Sequence, residues 1–253
     1  MAVPSLTVQV LGPLRVWRDG VEVDTGPRQQ TYLLALLLMR AGRPVSSAEL
    51  IDLVWDDGMP ASASNIVHKY VGTLRRLLEP GLPARAAGSF LHRRNSGYQF
   101  DDGRVSLDLA EFRRLLGRAR AEADAHRFDE AAASYEEALS RWRGSAGDGL
   151  AVGAAAAPLF ASVNRELLDA CVEAARVAVP HGHAGRILQP LRLAAWIAPM
   201  DETIQATLMT ALAASGQPEE ARSVFETVRA RLADDLGIDP GPALREARRQ
   251  VLP

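Results

Sequence analysis

The sequence has almost no lysine and almost no cysteine. Lys69 is the only lysine and Cys171 the only cysteine among 253 residues, so nearly every basic residue is an arginine. A phosphate-binding loop of the Walker type needs a glycine-rich turn followed by lysine, and no such turn precedes Lys69, which excludes this nucleotide chemistry. A single cysteine excludes an internal disulfide and any zinc site built from several cysteines.

Long apolar runs and catalytic motifs are also absent. The longest apolar run, residues 32–39, is far shorter than the roughly 20 residues of a membrane-spanning helix. The N-terminus lacks the basic flank and apolar core of a signal peptide, so we expect a cytoplasmic protein with no membrane partner. There is neither a Gly-x-Ser-x-Gly elbow nor a His-Glu-x-x-His pair. We therefore expect no catalytic residues, no cofactor and no metal, including at His181 and His183.

The composition is otherwise that of a globular protein, but its charge is uneven. Apolar residues make up 47% of the chain, which is enough for a packed core. The net charge is only −2, yet residues 61–94 hold six basic residues against one acid, Glu79. Such a basic island is typical of a protein that binds a phosphate backbone. An arginine-rich surface that faces only solvent is the alternative that charge alone leaves open.

The first part of the chain, residues 1–103, predicts strands followed by helices. Apolar residues alternate between Leu6 and Val10, which indicates a half-buried strand. Asp19-Gly20 lies between two strand-like segments and suits a type I′ hairpin turn. Ser46-Ser47-Ala48-Glu49 is a capping box, in which a serine caps a helix and Glu49 reaches back to the cap. Helices are predicted over residues 28–40, from this box to about Trp55, and over residues 62–78.

The third predicted helix separates its side chains onto two faces. Val67, Val71, Leu74 and Leu78 form an apolar face, and the opposite face carries Asn65, His68, Lys69, Gly72, Thr73 and Arg76. A helix of this kind can lie in the major groove of DNA. An ordinary amphipathic surface helix usually carries glutamates as well, whereas Glu79 at the end of this one is its only acid. The shortage of acids favours an anionic partner.

Residues 90–100 predict a hairpin whose tip is basic. Two short strand-like pieces flank Asn95-Ser96-Gly97, and Arg93 and Arg94 precede this turn. Strands, a helix-turn-helix and a basic hairpin in this order predict a winged helix. The turn-rich acidic stretch Asp101-Asp102-Gly103 then marks a boundary.

The second part of the chain, residues 104–253, is helical throughout. His126-Arg127-Phe128-Asp129-Glu130-Ala131, with Tyr135 and Ala138, resembles Gly216-Gln217-Pro218-Glu219-Glu220-Ala221, with Phe225, further along. This pattern favours tetratricopeptide-like helix pairs, and a plain helical bundle is the alternative. Helices are predicted over residues 108–124, 128–142, 155–179, 184–197, 202–214, 218–235 and 242–251.

A series of short motifs, taken together, indicates a family. The motifs are Leu11-Gly12-Pro13-Leu14 with Trp17, Arg28-Gln29-Gln30, residues 50–55, residues 70–78, Gly97-Tyr98, and residues 235–244. Their order resembles the Streptomyces antibiotic regulatory protein (SARP) family, which joins an OmpR-type winged helix to a bacterial transcriptional activator domain (BTAD). The resemblance covers essentially the whole chain. It implies an α+β winged helix-turn-helix domain over residues 1–103 and an all-α, tetratricopeptide-like BTAD over residues 104–253.

The resemblance also implies a function. It indicates a non-enzymatic, nucleoid-associated activator of an antibiotic (secondary-metabolite) gene cluster, which binds direct repeats in double-stranded promoter DNA and contacts RNA polymerase holoenzyme. Because residues 1–103 are nearly neutral overall, we expect two copies side by side on tandem half-sites. The alternative is a tetratricopeptide-like adaptor or small-molecule sensor whose N-terminal domain has lost DNA binding.

Specific side chains are expected to contact the DNA. On the recognition helix these are Asn65, His68, Lys69, Thr73 and Arg76, which face base edges and flanking phosphates. Ser46 and Ser47 lie at a helix N-terminus and are expected to offer backbone N–H groups to phosphate. Arg93 and Arg94 on the wing are expected to enter or straddle the minor groove.

Overall fold

The computed structural model describes residues 4–55, 58–83 and 86–251, and the chain divides into two compact units. The described residues within 1–111 and 144–163 form the first unit, and those within 112–143 and 164–253 form the second. Residues 104–111 and 144–163 therefore fold with the first unit, although the sequence-based division at residue 103 places them in the second domain. Arg85, which belongs to the predicted basic island, lies outside the described residues.

The first unit contains two small sheets. Its strands are β1 (Leu6–Gln9), β2 (Arg15–Arg18), β3 (Val21–Glu22), β4 (Val45–Ser46), β5 (Leu91–Arg94), β6 (Gly97–Phe100) and β7 (Val105–Leu107). One sheet has the order β3-β2-β1-β7, in which β7 is parallel to β1, and the other has the order β4-β6-β5. Asp19 and Gly20 both have positive φ, 50° and 80°, which confirms the predicted type I′ hairpin between β2 and β3.

Three helices of the first unit follow β3 along the chain: α1 (Arg28–Met39), α2 (Ser47–Trp55) and α3 (Ala63–Leu78). Helix α1 contacts both α2 and α3 and is buried along the whole apolar run of residues 32–39. Full burial of each leucine in this run stabilises the fold by about 1.5–3 kcal/mol. The apolar run is thus the core helix of the winged-helix unit.

The segment of residues 144–163 is held to the first unit by backbone and aromatic contacts. The Gly147 N–H donates to the Val10 carbonyl at 3.1 Å. The rings of Tyr32 on α1 and Phe160 stack with their centroids 6.2 Å apart. Neither partner is close in sequence, so a local pattern does not predict these contacts.

Asp108 extends the same unit beyond residue 103. It follows β7 directly, and its carboxylate accepts hydrogen bonds from the backbone N–H groups of Val10 and Leu11 at 2.9 and 3.0 Å. These two N–H groups follow β1, where the sheet ladder ends. Because buried backbone donors need partners, Asp108 completes the hydrogen bonding of the β1 end.

The second unit is built from helices. The helices of the remaining chain are α4 (Asp108–Asp124), α5 (Phe128–Leu139), α6 (Ala157–Ala178), α7 (Ala184–Ile197), α8 (Glu202–Ala214), α9 (Pro218–Arg231), a π-helical turn (Leu232–Leu236) and α10 (Pro242–Val251). All seven predicted helices form. Helix α5 ends before the predicted residue 142 because the Arg141 and Trp142 N–H groups bond to carbonyls only three residues back. No helix in the described part of the chain is long and apolar enough to cross a membrane.

Consecutive helices of this unit pack as tetratricopeptide-like pairs. Helix α8 packs against α7, α9 and α10. The motif residues Ala131, Tyr135, Ala138, Ala221 and Phe225 are buried. The turns before α5, α7 and α9 share one backbone feature, since His126, Gly182 and Gly216 have positive φ and each lies two residues before its helix. The recurrence of this turn supports a repeated helix-pair architecture.

Candidate nucleic-acid interface

Helix α3 has the two faces that its sequence predicts. Val67, Val71, Leu74 and Leu78 are buried, and each is at most 1% exposed. Asn65, His68, Lys69 and Arg76 are exposed on the other side of the helix, and Thr73 is half-buried. The buried face fixes the helix on the core, so the polar and basic face is presented outward.

Two residues of the outward face have contacts that restrict what they can offer. The Thr73 hydroxyl donates to the Lys69 carbonyl at 3.1 Å, so its proton is engaged within the helix. The His68 ring lies edge-on to the ring of Tyr98 on β6, with centroids 6.2 Å apart. The side chain of His68 on α3 therefore lies beside the hairpin of β5 and β6.

The hairpin of β5 and β6, which we call the wing, is formed as predicted. Arg94 pairs with Gly97 across the turn, and Asn95 has a φ of 45°. Gly97 is buried because the backbone of β4 passes over it, and a Cβ atom there would lie 1.9 Å from the Val45 carbonyl oxygen. The wing thus needs glycine at this position for close approach of two strands.

The two wing arginines differ in how their side chains are held. The Arg94 Nε–H donates to the Gln99 side-chain oxygen at 3.0 Å, and the Gln99 amide donates to the Gly42 carbonyl at 2.9 Å. The Arg93 side chain is exposed and makes no hydrogen bond or ion pair with any described residue. Gln99 thus orients the Arg94 guanidinium, whereas no described residue holds the Arg93 guanidinium in place.

The capping box forms only in part. The Glu49 N–H donates to the Ser46 hydroxyl at 3.1 Å, as predicted for the serine. The Glu49 carboxylate does not reach back to the cap, because it pairs with the Arg40 guanidinium at 3.2 Å. The Ser47 N–H donates to the Ser96 carbonyl of the wing turn at 3.0 Å. The prediction that this N–H group contacts a phosphate is therefore wrong. The hydroxyl is the group with which Ser47 can still make the predicted phosphate contact.

The electrostatics of this surface follow from the lack of acids. Among the described residues, no carboxylate forms an ion pair with Lys69, Arg76, Arg93 or Arg94. Unpaired cations on one helix face and the adjacent wing tip sum to a positive potential, which attracts a polyanion. The periodicity of α3 separates these residues from Arg75, which turns inward.

Sequence periodicity did not identify the residues that support this surface. Gln99 orients Arg94, and Arg75 and Glu79 connect α3 to the segment that carries the wing. These side chains act through long-range hydrogen bonds, for which the local pattern carries no signal. The clearest sequence hint was Glu79, the one acid in a basic window.

His181 and His183 of the second unit have partners within that unit, and its cysteine is buried. The His181 Nδ1 bonds to the Val177 carbonyl, and the His183 Nε2 lies 2.7 Å from the Asp129 carboxylate. No group of three or more potential metal ligands occurs among residues 4–55, 58–83 and 86–251. Cys171 is fully buried, and this burial raises the pKa of its thiol to about 12.

Comparison with known proteins identifies both domains. Residues 107–252 match the family described as bacterial transcriptional activator domain, and residues 20–100 match the family described as transcriptional regulatory protein, C terminal. The regulatory protein AfsR of Streptomyces coelicolor is 33% identical over 98% of this chain, and the regulatory protein DnrI of Streptomyces peucetius is 28% identical over 98%. The transcriptional regulatory protein EmbR of Mycobacterium tuberculosis is 31% identical over 96% of the chain.

The relatives differ in length from this chain. It spans 24% of AfsR, 62% of EmbR and 92% of DnrI. A solved structure of Mycobacterium tuberculosis EmbR, in complex with a low-affinity phosphopeptide, is similar over 98% of this chain and 65% of that one, with a TM-score of 0.75 and 30% identity. The fold, a winged helix-turn-helix followed by a helical domain, is thus confirmed along the chain.

The matched families consist of transcriptional regulators rather than enzymes, which agrees with the non-enzymatic assignment. Regulators of this type bind DNA and activate transcription. The chain therefore belongs to the bacterial transcriptional activator domain family, and its pair of domains is that of regulators of the Streptomyces antibiotic regulatory protein type.

Proposed function

We propose that this chain is a sequence-specific DNA-binding activator of an antibiotic or other secondary-metabolite gene cluster. The observation that carries the proposal is the outward face of α3 together with the wing tip, where four cations lack carboxylate partners among the described residues. The similarity to AfsR and DnrI, both named regulatory proteins of Streptomyces, supports the cluster assignment.

In this proposal the contacts divide by type. Asn65, His68, Lys69, Thr73 and Arg76 face base edges and flanking phosphates in the major groove. Ser46 offers its backbone N–H group and Ser47 its hydroxyl to phosphate, and Arg93 and Arg94 enter or straddle the adjacent minor groove. Loss of a base-reading contact costs about 1–3 kcal/mol and relaxes specificity at one position. Loss of a phosphate contact weakens binding to all sequences alike.

The proposal includes an arrangement on the promoter. Two copies bind side by side, head to tail, on direct repeats spaced by about one helical turn, and the bound pair contacts RNA polymerase holoenzyme. Cooperative binding compensates for the near-neutral charge of the first 103 residues. A chain that occupies one half-site as tightly as two contradicts this arrangement.

Selection of binding sites from a random duplex pool at about 0.1 M salt tests the proposal directly. We expect enrichment of short direct repeats, and we expect a chain with Lys69→Ala and Arg76→Ala to lose this enrichment. Arg222→Ala is the matched control, because Arg222 is an exposed arginine on α9 that pairs with Glu219. Weak binding that vanishes with salt and selects no sequence would refute the proposal. It would direct attention to the open groove beside Trp196, which α7, α8 and α9 line.

A further inference from the structure

Two neighbouring arginines at the end of α3 have different surroundings. Arg76 is exposed and faces outward with the other candidate DNA contacts. Arg75 is half-buried, and its Nε–H donates to the Leu91 carbonyl at 2.8 Å. Leu91 is the first residue of β5, the wing strand that carries Arg93 and Arg94. Arg75 therefore connects the recognition helix directly to the backbone of the wing.

The position of β5 in its sheet makes this hydrogen bond important. The sheet order is β4-β6-β5, so β6 is held on both sides, whereas β5 is an edge strand. The Ser47 N–H secures the wing turn near β4 through the Ser96 carbonyl. Arg75 secures the other side of the wing. Arg75 thus gives the edge strand β5 a direct side-chain hydrogen bond to α3.

Further contacts show that Arg75 is built into this junction. A Cβ atom on Gly88 would lie 3.2 Å from the Arg75 Cγ, so the aliphatic stem packs beside the chain that leads into β5. Nearby, the Glu79 carboxylate accepts hydrogen bonds from the Ser89 N–H at 2.9 Å and the Ser89 hydroxyl at 3.0 Å. Glu79 anchors the start of the wing segment, and Arg75 anchors the strand itself.

We propose that Arg75 is a positioning residue, which fixes the wing against α3 so that helix and wing contact adjacent grooves at the same time. The inference rests on the proposed function, because it assigns a role to Arg75 only if the wing contacts DNA. It differs from a phosphate-contact role in one respect. A phosphate contact contributes on its own, whereas a positioning residue acts through Arg93 and Arg94.

A double-mutant cycle on the full chain separates these roles. The variants are Arg75→Met, which retains an aliphatic stem without a donor, Arg94→Ala, and their combination. The readout is the Kd for the selected duplex over a range of salt concentrations. In the wild-type background, Arg94→Ala is expected to weaken binding about tenfold. In the Arg75→Met background, the same change is expected to weaken binding less than about threefold, because the wing is already displaced.

The salt dependence of the binding constant gives a second readout, because a purely structural role of Arg75 would leave this dependence unchanged. Each phosphate contact contributes about 0.9 to the slope of log K against log salt. Arg75→Met is expected to lower the slope by the equivalent of about two phosphates, although it removes one charge. Arg76→Met is the control, which we expect to lower the slope by the equivalent of about one phosphate and to leave the effect of Arg94→Ala unchanged.

The outcomes are distinct. Additive effects of Arg75→Met and Arg94→Ala overturn the positioning role while DNA binding stands. Failure of the wild-type chain to bind any duplex overturns the proposed function and this inference together. Thermal unfolding of each variant shows that it is folded, and Arg75→Leu replaces Arg75→Met in the cycle if that variant does not fold.

Discussion

Two paired arginines of the second unit have surroundings opposite to those of the basic residues on the α3 face and wing tip. In the second unit, Arg120 forms a bidentate pair with Glu173 at 2.8 and 2.9 Å, and Arg192 forms one with Glu220 at 2.9 Å through each of two nitrogens. On the α3 face and wing tip of the first unit, the basic side chains have no such partners among the described residues. An arginine-rich composition is therefore not itself a binding surface, because paired arginines present little net charge.

The range of electrostatics explains why pairing matters more than net charge. At physiological salt the Debye length is about 8 Å, so a paired guanidinium and carboxylate cancel within that distance. Unpaired cations spaced along a helix add instead. The first unit can thus attract a polyanion locally, although its first 103 residues are almost neutral overall. This comparison favours an anionic partner over a solvated arginine surface, the alternative that sequence charge left open.

The largest expected effect comes from removing the unpaired charges together. Replacing Lys69, Arg76, Arg93 and Arg94 with Gln is expected to weaken specific DNA binding about a thousandfold or more and to lower the salt slope by about 0.9 for each phosphate that is no longer neutralised. Fluorescence anisotropy with a labelled duplex measures both quantities. The control replaces four paired arginines, Arg120, Arg192, Arg222 and Arg229, with Gln. Equal effects on binding in both variants would break the comparison between the units.

A substitution in the wing that leaves the charge unchanged tests the shape of the proposed DNA-binding surface separately from its charge. Gly97→Ala is expected to destabilise the chain by about 1–3 kcal/mol, because the added Cβ meets the Val45 carbonyl oxygen. Urea unfolding measures the decrease in stability. The matched control is Gly72→Ala on α3, where a Cβ meets nothing within 4 Å and helix propensity improves by about 1 kcal/mol. A Gly97→Ala chain as stable as wild type would show that the wing tolerates displacement.

The pH dependence of stability is expected to arise from carboxylates of the second unit. The Ser134 hydroxyl donates to the Glu122 carboxylate at 2.6 Å and the Arg118 Nε–H donates at 2.8 Å, which together lower the pKa of Glu122. A lowered pKa stabilises the fold above the usual carboxyl pKa of 4.5, and this contribution is lost as pH falls through the lowered value. The Tm difference between wild type and Glu122→Gln should therefore shrink as the solution is acidified. A difference that is constant with pH contradicts this assignment.

The smallest expected effect comes from breaking one exposed pair. Arg192 and Glu220 are both partly exposed, with 34% and 43% of their side chains accessible. Arg192→Ala is expected to cost about 0.5 kcal/mol of stability, to cost less at high salt, and to leave DNA binding unchanged. Thermal unfolding at low and high salt and the same anisotropy assay check both parts. A decrease in DNA affinity would show that paired arginines also contribute to binding.

Local features of the first unit were predictable from the sequence. Asp19-Gly20 specified its turn because both positions need positive φ, and the spacing of Val67, Val71 and Leu74 specified the buried face of α3. These signals lie within one element or one turn. The DNA contacts assigned to the outward face of α3 and to the wing remain predictions, which the experiments above test.

Long-range contacts were not predictable in the same way. The parallel pairing of β7 with β1 and the bond from Gly147 to Val10 join distant parts of the chain, and neither leaves a periodic pattern. The Ser47 N–H looked available from its place at a helix N-terminus, yet the carbonyl of Ser96 occupies it. A capping motif predicts which backbone N–H groups need hydrogen-bond partners, but the tertiary structure determines which acceptors bond to them.

The contacts of Asp108 and Gly147 have a consequence for how such regulators can be recombined. The two matched families meet between residues 100 and 107, so an exchange of DNA-binding domains between relatives would naturally be made there. That junction separates Val10 and Leu11 from the carboxylate of Asp108, and the Val10 carbonyl from the N–H of Gly147. A chimaera would keep these bonds only if the incoming domain matches both. The winged-helix domain can therefore be exchanged at this junction only with relatives that keep these bonds, because residues after the junction form part of its folded unit.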